Sequence, residues 1–256
     1  MQTKKSRKDT FIMNTIRTAP LALVTGASRG IGKAIAETLA EAGYHLILTC
    51  SHTLAELQAS SASLEEKYGI TCTAVAADAS DPAAIEKIFA SLDHLDVLVN
   101  NAGISYIGLL TDMSVEEWQC VLNTNLSSCF YTSRLAVPLM LQKHSGCIIN
   151  ISSVWGNVGA SMEVAYSASK GGVNSFTKAL AKELAPSNIQ VNAISCGVID
   201  TAMNHCFSPE EMDALREEIP ADRLGQPEEV AKLVLQLIQA PAYLTGQILT
   251  LDGGWQ

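Results

Sequence analysis

A chain of 256 residues, 48% hydrophobic and 17% charged, is long enough for one large α/β domain with a substantial core. Its net charge of −9 argues against nucleic acid as the main partner, because phosphate recognition needs a concentrated basic surface and only Lys4, Lys5, Arg7 and Lys8 supply one. No apolar run reaches bilayer length, the start lacks a secretory apolar stretch, and the cysteines and histidines are dispersed without ligand-like spacing, so a soluble cytoplasmic protein with reduced thiols, no membrane partner and no metal site is expected.

Residues 1–20 read as a flexible extension, with Met13 as an alternative start and an organellar presequence as the other reading. Leu21 to Thr25 is a short apolar run that ends in a glycine-rich turn, and helical periodicity follows from Lys33 to Ala42 until Gly43. The alternation then continues with strand His45 to Cys50, helix Leu54 to Tyr68, strand Cys72 to Ala76, helix Pro82 to Leu92 and buried strand Asp96 to Val99. The second half has a long helical stretch from Val115 to Gln142, strand Cys147 to Ile151, helix Tyr166 to Leu184 stopped by Pro186, and strand Gln190 to Ile194. Helix Glu228 to Gln239 and strand Gln247 to Leu251 complete the pattern. Repeated βαβ units predict one α/β domain over residues 21–256, with a doubly wound parallel sheet of about seven strands flanked by helices. Ligand sites in such sheets lie beyond the carboxyl ends of the strands, where Gly30, Asn100, Ser153 and Gly197 all fall. Ser195 to Gly225 interrupts the alternation. A stretch of that length in a compact domain is usually functional, and it reads as a substrate lid containing a short helix, with a packing insertion as the alternative.

Two motifs carry chemistry. Tyr166 and Lys170, four apart on one helix face, pair a weak acid with an ammonium that favours the phenolate, so the tyrosine is expected to have a lowered pKa. Thr25-Gly26-Ala27-Ser28-Arg29-Gly30-Ile31-Gly32 joins the first strand to the first helix, so its backbone N–H groups and the helix dipole can face a pyrophosphate. With Asn100-Asn101-Ala102-Gly103, Asn125, Ser153, Thr245-Gly246-Gln247 and Asp252-Gly253-Gly254, these motifs make the chain resemble the short-chain dehydrogenase/reductases from Leu21 to Trp255, a family with a single Rossmann-type domain.

The resemblance implies that Tyr166 donates a proton to a carbonyl oxygen, that Ser153 polarises that oxygen, and that Lys170 lowers the tyrosine pKa and binds the nicotinamide ribose. Asn125 would hold a water in the proton relay, with a helix-bending amide as the other reading. Ser152 competes with Ser153, and family spacing favours Ser153. Asn101, Ala102 and Gly103 would flank the adenosine, and Asp78, with Ala79 beside it, would contact the adenine, unless these residues only form turns. Cys196-Gly197 stands where the family usually has Pro-Gly, while Val198 and Thr201 match the segment that receives the carboxamide.

An acidic residue about twenty positions beyond the glycine turn would select NAD. The second strand ends instead in Thr49-Cys50-Ser51-His52, and Arg29 lies where similar proteins hold a 2′-phosphate, so NADPH and NADP+ are expected as the cofactor pair. The broad resemblance is to 3-oxoacyl-acyl-carrier-protein reductases, although His144 and Ser187 occupy positions where that group usually has arginines. A narrower one, through Ser152-Ser153-Val154-Trp155-Gly156 and Gly159 to Tyr166, is to elongation factor P 5-aminopentanone reductases. Glu163, three residues before Tyr166, either faces the pocket, where it would favour an ammonium-bearing ketone, or caps the helix. Glu210, Glu211, Asp213, Glu217 and Glu218 are acidic lid residues or a solvated face. The expected partners are a small-molecule or carrier-bound ketone and, by family resemblance, three further copies in a homotetramer. An inactive cofactor-binding scaffold is the reading from another class, and the intact catalytic set speaks against it.

Overall fold

The structure, a computed structural model, describes residues 19–256, without the side chains of His205 and Cys206. The expected extension over residues 1–20 therefore lies, apart from Ala19 and Pro20, outside the described residues. Strands β1 (Leu21–Val24), β2 (His45–Cys50), β3 (Cys72–Ala76), β4 (Val97–Asn100), β5 (Gly146–Ser153), β6 (Ile189–Cys196) and β7 (Ile248–Leu251) form one parallel sheet in the order β3-β2-β1-β4-β5-β6-β7. The central strands are short apolar runs because both faces are covered, as parallel sheets require. The strand order reverses between β1 and β4, which opens a crevice at their carboxyl ends.

One face of the sheet carries α1 (Gly30–Glu41), α2 (Leu54–Tyr68) and α9 (Pro227–Ile238), which bury Ile35, Leu39, Leu57, Val230 and Val234. The other carries α3 (Pro82–Phe89), α5 (Ser128–Lys143) and α7 (Val164–Leu184), with Ile85, Phe89, Met140 and Leu184 in the core. Local signals set several boundaries. Asp81 caps α3 by accepting the Ala83 N–H at 2.9 Å, and Gly69, at φ 67°, ends α2 in the left-handed conformation that glycine tolerates.

Two elements differ from expectation. The helix expected from Val115 to Gln142 is α4 (Val115–Leu122), a π-turn over Asn123–Ser127, and then α5. The wider turn is the kind of local irregularity that functional residues occupy, and it holds Asn125 facing the Ile104 backbone. The stretch from Ser195 to Gly225 is more regular than expected: β6 runs on to Cys196, Ala202–Cys206 is a 3₁₀ turn, and α8 (Pro209–Glu218) is closed by a capping box between Ser208 and Glu211. A short helix, α6 (Trp155–Val158), also follows β5 directly.

Buried amides tie the α7 face to the sheet. Thr132 of α5 bonds Asn100 of β4 at 2.7 Å, Asn100 donates to Asn150 of β5 at 2.8 Å, and Asn150 donates to Thr177 of α7 at 2.8 Å. A second chain runs from Ser152 through Asn174 and Asn157 to Ser195, with links of 2.6, 2.9 and 2.9 Å. Such networks are costly when broken, because each orphaned group keeps its desolvation penalty. Asn150→Ala is therefore expected to lower stability by about 2–4 kcal/mol, read as a fall in the urea midpoint at fixed protein concentration.

Candidate active site

Ser153 ends β5, Tyr166 lies in the first turn of α7, and Lys170 follows one turn later on the same face. The second amide chain fixes how α7 lies over β5, so it also sets the approach of Tyr166 to Ser153. The two competing serines are separated by their partners. Ser152 donates to Asn174 at 2.6 Å, whereas Ser153 accepts the Trp155 backbone N–H at 3.2 Å and stands close enough to Tyr166 to pull its pKa down.

Lys170 is 4% exposed, and its Nζ donates to the Ile151 carbonyl at 2.8 Å and lies 5.6 Å from the centre of the Tyr166 ring. Burial lowers its pKa. Burial also raises the Tyr166 pKa, Ser153 pulls it back, and Cys196 and Glu163 push it higher. The expected lowering by Lys170 is not what this geometry produces. The ammonium is turned to a β5 carbonyl, and desolvation of the phenol dominates, so Tyr166 holds its proton.

Asn125, 1% exposed, accepts the Ile104 N–H at 2.8 Å and donates to the Ile104 carbonyl at 2.9 Å and to Ser169 at 3.0 Å. Its side chain thus clamps the β4–α4 loop to α7. In that loop a Cβ on Gly103 would stand 3.5 Å from Lys170 Nζ, so the glycine backbone passes directly beside the ammonium.

The glycine turn shares this edge of the sheet. Ala27 N–H donates to the Thr49 carbonyl at 2.9 Å, which sets the end of β2, with Ser51 and His52, beside the turn. Arg29 occupies the N-cap position of α1 without a side-chain cap, and no acidic residue stands in the first turn, an arrangement that leaves a helix N-terminus suited to an anion. Asn101 donates to the carbonyls of Thr25 and Gly26, both at 2.9 Å, and Ala102 N–H donates to Thr25 Oγ1 at 3.0 Å. Thr201 packs over Gly30, and Gly197 N–H bonds Leu251 where Asp252 leaves no room for a Cβ. Val198 accepts the Gly225 N–H at 2.9 Å. Asp78 accepts from both the backbone and hydroxyl of Ser80, with Ala79 buried between them, so its carboxylate shapes the turn after β3.

Glu163 stands at the N-cap position of α7, yet its carboxylate makes no capping bond. It accepts from the Ser105 hydroxyl at 3.0 Å and is stabilised by the Trp155 indole N–H, while burial raises its pKa. The capping reading of Glu163 is therefore excluded. Ser105 is a part of this wall that the sequence did not single out, and Trp155 entered there only within a motif. The backbone clasp between Gly108 N–H and the Met162 carbonyl, 2.8 Å, joins the loops that carry Ser105 and Glu163. The acidic residues of α8 belong to an exposed face, and Glu211 serves its helix cap. His144 and Ser187 lie in adjoining turns, where the Asn188 side chain donates to the His144 carbonyl at 3.3 Å. Among the described residues no group of acidic, histidine or cysteine side chains could hold a metal ion, and no helix is long and apolar enough to cross a membrane.

Residues 20–212 match the family model for short chain dehydrogenases. The chain is 42% identical over 239 residues to the uncharacterized oxidoreductase YmfI of Bacillus subtilis, with 91% of this chain and 98% of that protein covered. It is 40% identical over 239 residues to the 3-oxoacyl-[acyl-carrier-protein] reductase FabG of Escherichia coli, with 91% and 96% covered. Among solved structures it is similar to YwfH, an NADPH-dependent reductase involved in bacilysin biosynthesis, at a TM-score of 0.88 and 28% identity, with 93% of this chain and 99% of that one covered. The chain belongs to the short-chain dehydrogenase family and is an oxidoreductase acting on CH–OH and C=O groups.

The buried ammonium has a measurable signature. The folded state binds the Lys170 proton less readily than the unfolded chain does, so this group's contribution to stability rises with pH between its lowered folded pKa and the ordinary lysine value. Lys170→Met is expected to remove that alkaline rise and to raise the neutral-pH unfolding free energy by about 1 kcal/mol or more. Denaturation followed at several pH values checks both.

Proposed function

We propose that this short-chain dehydrogenase is an NADPH-dependent carbonyl reductase, and the observation that carries the reading is the convergence of Ser153, a protonated Tyr166 and the Lys170 ammonium beside an uncapped glycine-rich helix start. The cofactor fits the residues present: Lys170 Nζ is buried with one carbonyl acceptor among the described residues, and the α1 N-terminus offers free N–H groups without an acidic side chain. Gly26, Ser28, Gly30, Ile31 and Gly32 would hold the pyrophosphate, and Arg29, Ser51 and His52 the 2′-phosphate. Asp78, Ala79, Asn101, Ala102 and Gly103 would line the adenosine side, and Gly197, Val198 and Thr201 the carboxamide. When bound, the reduced nicotinamide supplies the hydride that adds to the carbonyl carbon.

The protein's own residues supply the rest. Ser153 hydrogen-bonds the carbonyl oxygen, and Tyr166 Oη gives that oxygen its proton as the C=O bond becomes C–OH. The charge left on Tyr166 develops beside the Lys170 ammonium, which stabilises it more than the neutral phenol. Asn125 keeps Ile104 and Ser169 in place around the pair. The default substrate is a 3-oxoacyl thioester. A second reading, an amine-bearing ketone such as one carried on elongation factor P, is favoured by Glu163, whose half-buried carboxylate faces Ser105 and Trp155 in front of Tyr166. We place the enzyme in the cytoplasm as a homotetramer; exposed Phe130 and Leu141 on α5 give a second copy an apolar face to cover, and sedimentation checks the assembly.

Tyr166→Phe is expected to lower kcat by about 10²-fold or more while the NADPH Kd is retained. NADPH should bind at least about tenfold more tightly than NADH, and Arg29→Ala should narrow that ratio by weakening NADPH alone; fluorescence titration decides, and a preference for NADH overturns the cofactor assignment. Dimethylaminoacetone and its uncharged isostere 4-methylpentan-2-one separate the substrate readings when assayed beside acetoacetyl-CoA. A cation preference that Glu163→Gln abolishes supports the aminoketone. Because burial raises the Glu163 pKa, that preference should fade as pH falls through a range above that of an ordinary carboxylate, where the charge is neutralised. Equal loss on both ketones with Glu163→Gln would remove the case for a cation site.

A further inference from the structure

Behind the Glu163 wall stands a second tryptophan from the far end of the fold. Trp155 opens α6, and its ring meets Trp255 edge to face, with centroids 4.9 Å apart and planes inclined at 63°. The backbone around Trp255 is fixed on both sides: Asp252 accepts the Gly254 N–H at 2.9 Å and the Gln256 N–H at 2.8 Å. That turn is seated in turn on the base of the 195–225 segment, since Ala221 N–H donates to the Gly253 carbonyl at 3.1 Å and Asp252 abuts Gly197. Trp255 is therefore a rigidly mounted ring, half-buried, applied to the residue that donates to Glu163.

We propose that Trp255 is a positioning residue for ketone binding: it holds the Trp155 ring so that the indole N–H meets the Glu163 carboxylate, fixing the wall against which the ketone-bearing molecule lies in front of Tyr166. The kinetic part of this inference rests on the reductase reading above. Glu163 accepts from Ser105 Oγ at 3.0 Å and has the Trp155 indole beside it, lowering its pKa, and only the second depends on a ring that can turn about two bonds. An edge-to-face partner restricts that turning without touching the substrate. Removing it releases the indole, leaves Glu163 with Ser105 alone, and lets the carboxylate move away from its place beside Tyr166. The interaction network thus runs from Trp255 to Trp155 to Glu163 to Ser105, and it meets the Asn174 network only through α6, where Asn157 bonds Asn174.

Full-length protein labelled with ¹⁵N-tryptophan tests the contact without turnover. The Trp155 indole signal, assigned by its loss in Trp155→Phe, should shift in Glu163→Gln and in Trp255→Ala and stay in place in Trp255→Phe, which keeps an aromatic edge. In parallel, Trp255→Ala should raise KM for dimethylaminoacetone by about fivefold or more, a scale ordinary for coupled neighbours, with kcat within about twofold and the NADPH Kd unchanged. Trp255→Phe should restore KM, and Trp155→Phe/Trp255→Ala should be no worse than Trp155→Phe alone. If Trp255→Ala does not fold, Trp255→Leu, which fills the space without an aromatic edge, takes its place. An unmoved Trp155 signal overturns the contact, and a moved signal with unchanged KM overturns its role in binding. If the wild-type protein reduces neither this ketone nor acetoacetyl-CoA, the reductase reading fails, and the indole signal alone decides whether Trp255 positions Trp155 against Glu163.

Discussion

The buried ammonium of Lys170 is the constraint around which the catalytic half of the molecule is arranged. A charge in the interior without a carboxylate is costly, and the fold offers it one carbonyl of β5, the face of Tyr166 and the bare backbone of Gly103. A shift of β5 would remove its acceptor. The arrangement makes sense as an unfinished set of hydrogen bonds. On the proposed reading the folded chain holds a charge at a cost to itself, and hydroxyl groups brought by the cofactor would meet a donor already in place.

That cost is bearable because α7 cannot relax. Tyr166, Lys170, Asn174 and Thr177 lie along one face of the helix, the first two the proposed catalytic pair and the last two bonded into the sheet. The spacing of three and four that puts them on one face also makes position and reactivity inseparable. Asn125 closes the opposite side, bonding the backbone of Ile104 and the hydroxyl of Ser169 on the same helix. Stability and catalysis here share one set of polar contacts, which is why a buried asparagine far from any substrate can matter to the reaction.

Much of this was legible in the sequence, for identifiable reasons. Apolar runs alternating with helical periodicity predict a parallel sheet because strands buried on both faces must be apolar throughout, and the seven observed strands agree with that. The glycine turn and the Tyr166 and Lys170 pair were visible as spacings. Other features were hidden by the same logic. Helical periodicity runs unbroken through a π-turn, so the interruption that turns Asn125 inward left no mark in the pattern of Val115 to Gln142. The sign of the Tyr166 shift depends on where the ammonium points and how dry the phenol is, and neither is a property of spacing. Ser105 meets Glu163 from a loop 58 positions away, so only the folded chain brings the two together.

These contacts have a consequence for the proton donor. A carboxylate at Glu163 raises the Tyr166 pKa, which secures the proton but makes it harder to give up. Lys170, turned toward Ile151, offsets this only as negative charge develops on the phenol oxygen. A neutral ketone leaves the Glu163 charge unbalanced during proton transfer. On the proposed reading a cationic ketone balances that charge, so recognition of the substrate's charge and retention of the Tyr166 proton draw on the same carboxylate. An anionic carrier domain would meet the opposite sign, with no arginine at His144 or Ser187 to offset it. On the proposed reading the wall formed by Glu163, Ser105 and Trp155 therefore bears on which ketone is held in front of Tyr166.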